Sequence, residues 1–228
     1  MKKTYLVFGA AGSIGKKVVY RLINDDHNVI ASVKAHRGVG IETTILEGVN
    51  VVLVDNVADR EMIEGISNRY KLDGIIYAVG HCPPGGFTDA TKYPLSQLPL
   101  QNYKDEIDMH QIGALNVFQC LLPILKDGGC FVFISSAITR LKGQFPPFLQ
   151  AYHYASVISA EDWLVDGMRH DPTVIERKIK IHRIAPISVD TPFHSGVPKP
   201  PKMLAVDEVV DEIARALKSE DVVDKMML

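Results

Sequence analysis

Cysteine is scarce. Cys82, Cys120 and Cys130 are the only three in 228 residues, an odd number at no metal-ligand spacing. That argues against a disulfide scaffold and points to reduced thiols in a cytoplasmic protein. No apolar run reaches the roughly 18 residues that a membrane span needs. Neither sign of charge dominates: the net charge is -2, with no basic stripe interleaved with aromatics, so nucleic acid and anionic membrane are not expected partners. No internal repeat and no linker breaks the chain, so residues 1–228 are expected to form one domain with a sizeable core. The opening MKKTYLVFGAAG has the basic tip and apolar run of a signal peptide. Its apolar part is short and broken by glycines, and removing it would delete a strand, so it is expected to stay in the protein.

That strand leads into the most informative stretch. Thr4 to Phe8 is a short run of β-formers running into Gly9, Gly12 and Gly15, and Ser13 onward (SIGKKVVYRLIN) has helical spacing of apolar residues. A strand, a glycine turn and a helix in that order make a phosphate cradle. The turn tightens at the first glycine, backbone N–H groups approach a pyrophosphate at the second, and helix and strand pack closely at the third. The helix N-terminus adds unpaired donors and partial positive charge. Gly9, Gly12, Ser13, Ile14 and Gly15 are therefore candidate cofactor ligands.

Strand-like and helical segments then alternate, the pattern of a parallel sheet covered on both faces. Strands are expected at 28–33, 49–54, 74–79, 130–134 and 179–184, with a possible edge strand at 222–227. Helices are expected at 58–70, 102–125, 151–168 and 206–218. The expectation is a Rossmann-type doubly wound α/β fold of six to seven strands. Long Pro- and Gly-containing stretches at 81–99, 139–149 and 190–201 read as functional loops.

With these residues in view, the chain resembles the short-chain dehydrogenase/reductase family over nearly its full length. FGAAGSIG is similar to that family's Gly-x-x-Gly-x-x-Gly cofactor motif. Asp55 matches the carboxylate that contacts the adenine, and Gly80 keeps the glycine of the family's Asn-Asn-Ala-Gly. Gly113 with Leu122-Pro123 matches its long fourth helix. Ile134-Ser135-Ser136 is similar to its fifth strand, where the second serine is usually catalytic, and Pro186 and Thr191 match its cofactor-facing loop after the sixth strand. The resemblance also implies a small-molecule substrate and a homo-oligomer, dimer or tetramer, built through the long helices.

The catalytic pattern departs from that family. Its members carry a Tyr and, four residues later, a Lys on one helix face. A phenol near pKa 10 is a poor proton relay at neutral pH. An ammonium about 4 Å away at an effective dielectric near 20 is worth on the order of 4 kcal/mol. Here the helix reads Tyr152-His153-Tyr154-Ala155-Ser156-Val157. Aligning Ala155-Ser156 with the family's Ala-Ser puts His153 at the Tyr position and Val157 at the Lys position. Tyr152 is followed by Ser156 and Tyr154 by Ile158. The fourth-helix asparagine is replaced by His110 when Gly113 is kept in register. Ser136, His153 and His110 are thus the candidate catalytic groups, because imidazole titrates near neutrality without a partner. Tyr152 and Tyr154 read as packing or pocket-wall residues, with the role of the acid as their second reading. A metal site from His81, Cys82 and His194 has no support in the spacing, and no metal is expected.

The ribose end reads more firmly. A dinucleotide fold that prefers NAD places an acid at the end of the second strand. This chain has Ser32-Val33-Lys34 with Arg37 just beyond, two cations suited to a 2′-phosphate. The expected cofactor is NADP(H). The expected function is an NADP(H)-dependent oxidoreductase acting on a carbonyl or hydroxyl with an altered proton relay. The alternatives are a non-redox isomerase or lyase on the same scaffold, and a catalytically silent dinucleotide-binding sensor or partner subunit.

Overall fold

The structure, a computed structural model, describes residues 1–34, 49–80, 93–140, 151–194 and 202–228. A single parallel sheet runs through it. Its strands are β1 (Thr4–Phe8), β2 (Asn28–Val33), β3 (Asn50–Leu53), β4 (Leu72–Tyr77), β5 (Leu125–Ile134), β6 (Lys180–Pro186) and β7 (Asp224–Met227). They lie in the order β3-β2-β1-β4-β5-β6-β7, and every neighbouring pair is parallel.

The helices are α1 (Ser13–Asn24), α2 (Arg60–Ser67), α3 (Leu100–Ile107), α4 (Gly113–Leu121), α5 (Tyr152–Arg169), α6 (Pro172–Glu176) and α7 (Val206–Ala216). Alternation along the strands sorts them between two layers. In β1, Tyr5 and Val7 pack with α1 (Val18, Val19, Leu22) and α7 (Val209, Val210, Ile213). Leu6 and Phe8 point the other way, to α2 (Ile63, Ile66), α4 (Val117, Phe118, Leu121) and α5 (Val165, Met168). Burial on both faces explains why the strand is apolar throughout rather than alternating. Each such side chain contributes about 1.5–3 kcal/mol of burial.

Three features depart from the sequence expectation. The helix expected over 102–125 begins at Leu100 and is interrupted by a π turn at Asp108–Ile112. It ends at Leu121 and passes into a 3₁₀ turn at Leu122–Ile124, where Pro123 cannot continue the ladder. Asp127-Gly128-Gly129, turn residues by type that follow the helix expected to end at 125, instead lie inside β5: Leu125 already pairs with Leu72, the register then shifts, and Cys130 pairs with Gly74. Gly128 takes φ +72 at this bulge, and the Arg177 guanidinium clips it by donating to the carbonyls of Leu122 and Leu125 and to Asp127. Helix α6 was not expected; Asp171 caps it by accepting from the Thr173 N–H at 2.8 Å, and Pro172 opens it. The expectations for most of 81–99 and 139–149, and for 195–201, fall outside the described residues.

Candidate functional site

Reversal of strand order between β1 and β4 opens a crevice at their C-terminal ends, the usual ligand position in an open parallel sheet. The glycine turn sits there. Gly9 takes φ +71, and a Cβ on it would lie 2.3 Å from the Ala78 carbonyl at the end of β4. A Cβ on Gly15 would lie 2.2 Å from the Gly9 carbonyl, so α1 can approach the turn this closely only without a side chain. Gly12 precedes α1 without offering a side-chain cap, and the first turn of α1 carries no acid. The amides of Ser13 and Ile14 consequently keep their donor capacity for an outside anion.

The other expected cofactor residues follow strand ends along the same sheet edge. Lys34 is exposed immediately after β2, Asp55 is exposed just beyond β3, and Gly80 is exposed three residues past β4. Pro186 ends β6, and Thr191 accepts a hydrogen bond from the His194 N–H at 3.1 Å as the next turn begins. Arg37, His81 and Cys82 lie outside the described residues.

Ser135 and Ser136 follow β5 on this edge and have different surroundings. The Ser135 hydroxyl donates to Asp162 Oδ1 at 2.6 Å, and Thr139 donates to Asp162 Oδ2 at 3.1 Å. Ser135 is thereby tied into the wall. The Ser136 hydroxyl lies against the Tyr154 phenol in hydrogen-bonding contact and accepts from the Ile138 N–H at 3.3 Å. Tyr154 is also flanked by the His110 ring, edge to face with centroids 6.0 Å apart, and by Phe193 at 6.1 Å. Burial first, then the Glu161 and Glu106 carboxylates, push the Tyr154 hydroxyl well above the ordinary phenol range, and the Ser136 hydrogen bond pulls it back.

Ser136 and His110 are therefore brought together, and the group between them is Tyr154. Its neighbour His153 is rotated about 100° around the helix. It lies buried with Nε2 3.5 Å from Glu106 Oε1 on α3. His110 sits in the π turn, the kind of local irregularity that often re-aims a side chain at functional sites. The turn is held from the sheet, since the Tyr77 hydroxyl donates to the Met109 carbonyl. His110 Nδ1 lies 3.0 Å from Glu161 Oε2. Glu106 and Glu161, only 2% and 1% exposed, were not expected: a glutamate in a helical pattern reads as a solvent-facing residue until the helix partner is known.

Fold and crevice together define a dinucleotide-fold protein of the doubly wound α/β class. Residues 3–201 match the short chain dehydrogenase family, and the chain belongs to that family. A 3-amino-tetrahydro-pyrrolizinone reductase from Xenorhabdus hominickii is 27% identical over 158 residues, covering 68% of this chain and 51% of that one. The chain thus spans about half the length of the curated relative it matches. Among solved structures, a short chain dehydrogenase from Burkholderia cenocepacia in complex with NADP superposes with a TM-score of 0.81 at 20% identity, covering 100% of this chain and 88% of the other. BdcA in complex with NADPH superposes with a TM-score of 0.80 at 18% identity, covering 99% and 92%. At these identities the superpositions speak for the fold. No helix among the described residues is long and apolar enough to cross a membrane.

Proposed function

We propose that the protein is an NADP(H)-dependent oxidoreductase that reduces a carbonyl group of a small molecule, with Tyr154 and Ser136 at the reacting oxygen. The observation that carries this reading is the contact between the Ser136 hydroxyl and the Tyr154 phenol, on the sheet edge that also holds the glycine cradle.

The cradle fits a dinucleotide. A Cβ would fill it at Gly9 or Gly15, and α1 opens with no side-chain cap and no acid. Gly12, Ser13, Ile14 and Gly15 would hold the pyrophosphate, Lys34 with Arg37 the 2′-phosphate, and Asp55 the adenine. Gly80, Pro186 and Thr191 would line the remainder. The bound nicotinamide supplies a hydride. Ser136 orients the substrate oxygen and Tyr154 gives it a proton. Burial and the Glu161 and Glu106 carboxylates keep the proton on the Tyr154 hydroxyl at neutral pH; the phenol gives it up only to a stronger base, the alkoxide that hydride addition creates on the substrate oxygen. The altered relay is then a phenol without a lysine four residues on, since Ile158 stands at that position. His110 and His153 act from behind the phenol.

Fluorescence titration is expected to give tighter binding of NADPH than NADH, and Lys34→Glu to narrow or reverse the preference by about tenfold, or roughly 1.4 kcal/mol. NADPH oxidation with a panel of ketones, aldehydes and quinones is expected to find a substrate. Tighter NADH binding would overturn the cofactor assignment, and tight binding without turnover on any carbonyl would overturn the reductase assignment.

A further inference from the structure

Behind Tyr154, α3, the π turn and α5 bury two carboxylates and two imidazoles in crossed pairs. His110 Nδ1 is 3.0 Å from Glu161 Oε2, and His153 Nε2 is 3.5 Å from Glu106 Oε1. All four residues are at most 3% exposed. Glu161 Oε1, Glu106 Oε2, His110 Nε2 and both His153 ring nitrogens have no hydrogen-bond partner. Outside this cluster, the described residues leave only Arg169 Nη2 and His182 Nε2 in that condition. Orphaned buried polar atoms are costly, at about 1–3 kcal/mol each. Their concentration beside one phenol calls for a functional reason.

Charge decides the proton count. A buried ionised carboxylate beside a neutral imidazole would leave a bare charge in the interior, at several kcal/mol. Two protons shared over Glu161, Nδ1 and Nε2 leave the pair neutral overall, whether as acid plus imidazole or as carboxylate plus imidazolium. A proton between Oε2 and Nδ1 with the second on Nε2, the nitrogen not engaged by Glu161, meets that count; the competing arrangement puts the second proton on Glu161 Oε1 and leaves Nε2 bare. Burial raises the Glu161 carboxyl, while His110 lowers it and Asp162 adds to the rise. Glu161 also acts on Tyr154 and on Tyr77, and Glu106 acts on the phenol from α3.

We propose that Glu161 and His110 form a neutral two-proton unit that restores the proton Tyr154 gives up, with Glu161 as its positioning residue. The inference rests on the reductase reading above. Tyr154 passes its proton to the substrate oxygen as hydride arrives at carbon, and a phenolate is left. The Nε2 proton of His110 moves to that phenolate, directly or through one water. The proton between Glu161 and Nδ1 then settles on Nδ1, and one proton from solvent restores the unit. The balance per turnover is one hydride and one proton added to the carbonyl.

Two arms test this. In cofactor-free protein, nitrogen-15 histidine spectra, with His110 assigned by its absence in His110→Gln, are expected to show a proton on Nε2 at neutral pH. A bare Nε2 would overturn the proposal. In the holoenzyme, His110→Ala is expected to lower kcat about tenfold or more, with KM for NADPH within about threefold and partial recovery on adding imidazole. Glu161→Gln is expected to lower kcat without such recovery. Unchanged kcat in both variants, or a His110→Ala loss that imidazole does not touch, would overturn it. The spectral arm needs neither cofactor nor substrate, so it still reads the pair if no carbonyl compound proves to be reduced.

Discussion

His182 should make this fold acid-sensitive by a predictable amount. The side chain lies in the middle of β6 and is 0% exposed. Its Nδ1 accepts from the Val223 N–H at 3.0 Å, pinning the approach to β7, and Nε2 has no partner. Burial is the main reason its pKa falls from 6.5 to about 4, with Lys180 and Arg169 adding repulsion. The folded state therefore resists a proton that the unfolded chain accepts near pH 6.5. Stability from this site is complete above pH 6.5 and is lost as pH falls towards 4. At about 1.4 kcal/mol per pH unit, the gap is worth about 3 kcal/mol, a large part of the roughly 5–15 kcal/mol that holds a domain together. Urea unfolding at intervals between pH 4 and 7.5 measures it. Wild type should lose about 3 kcal/mol more over that range than His182→Asn, a neutral acceptor for the same N–H. The variant comparison removes other groups, including Glu161, whose raised carboxyl works in the opposite direction. Parallel curves would refute the reasoning.

Other positions separate packing from chemistry. Gly9→Ala must adopt φ +71 and place a Cβ 2.3 Å from the Ala78 carbonyl; a loss of about 2–4 kcal/mol in urea unfolding and of NADPH binding is expected. Gly65→Ala in α2 meets nothing within 4 Å, so that variant should gain about 0.5–1 kcal/mol in the same experiment. Arg177→Met removes the donors to the Leu122 and Leu125 carbonyls and to Asp127. At the end of the sheet far from the crevice, it should lower stability by about 2 kcal/mol and leave NADPH affinity unchanged.

The elements that could be read from the letters are those whose local signals agree with their tertiary setting. β1 at Thr4–Phe8 and α1 at Ser13–Asn24 fall where the glycine turn demands them, and β2 at Asn28–Val33 follows its Asp25-Asp26 turn. The π turn at Asp108–Ile112 leaves no trace in a helical pattern, because it is supported from outside by the Tyr77 hydroxyl. The β5 bulge looks like a turn because Gly128 and Gly129 are turn residues; only pairing with β4 keeps them in the strand. Asp171-Pro172 is a helix-start signal, but the five residues of α6 that follow are too few to show a helical period. At the site, matching Ala155-Ser156 by similarity set a frame one residue from the one in which a hydroxyl meets Ser136. A one-residue step on a helix turns a side chain by about 100°, so His153 faces Glu106 while Tyr154 faces Ser136. Glu106 and Glu161 were invisible as site residues because burial of an acid depends on the histidine across the interface.

Everything chemical in this account passes through the Tyr154 hydroxyl. The most direct measurement is the kcat of Tyr154→Phe on the carbonyl substrate found by NADPH oxidation, with NADPH affinity read in parallel. A fall of about a hundredfold or more in kcat with unchanged NADPH affinity is predicted. Wild-type turnover from Tyr154→Phe would contradict the account.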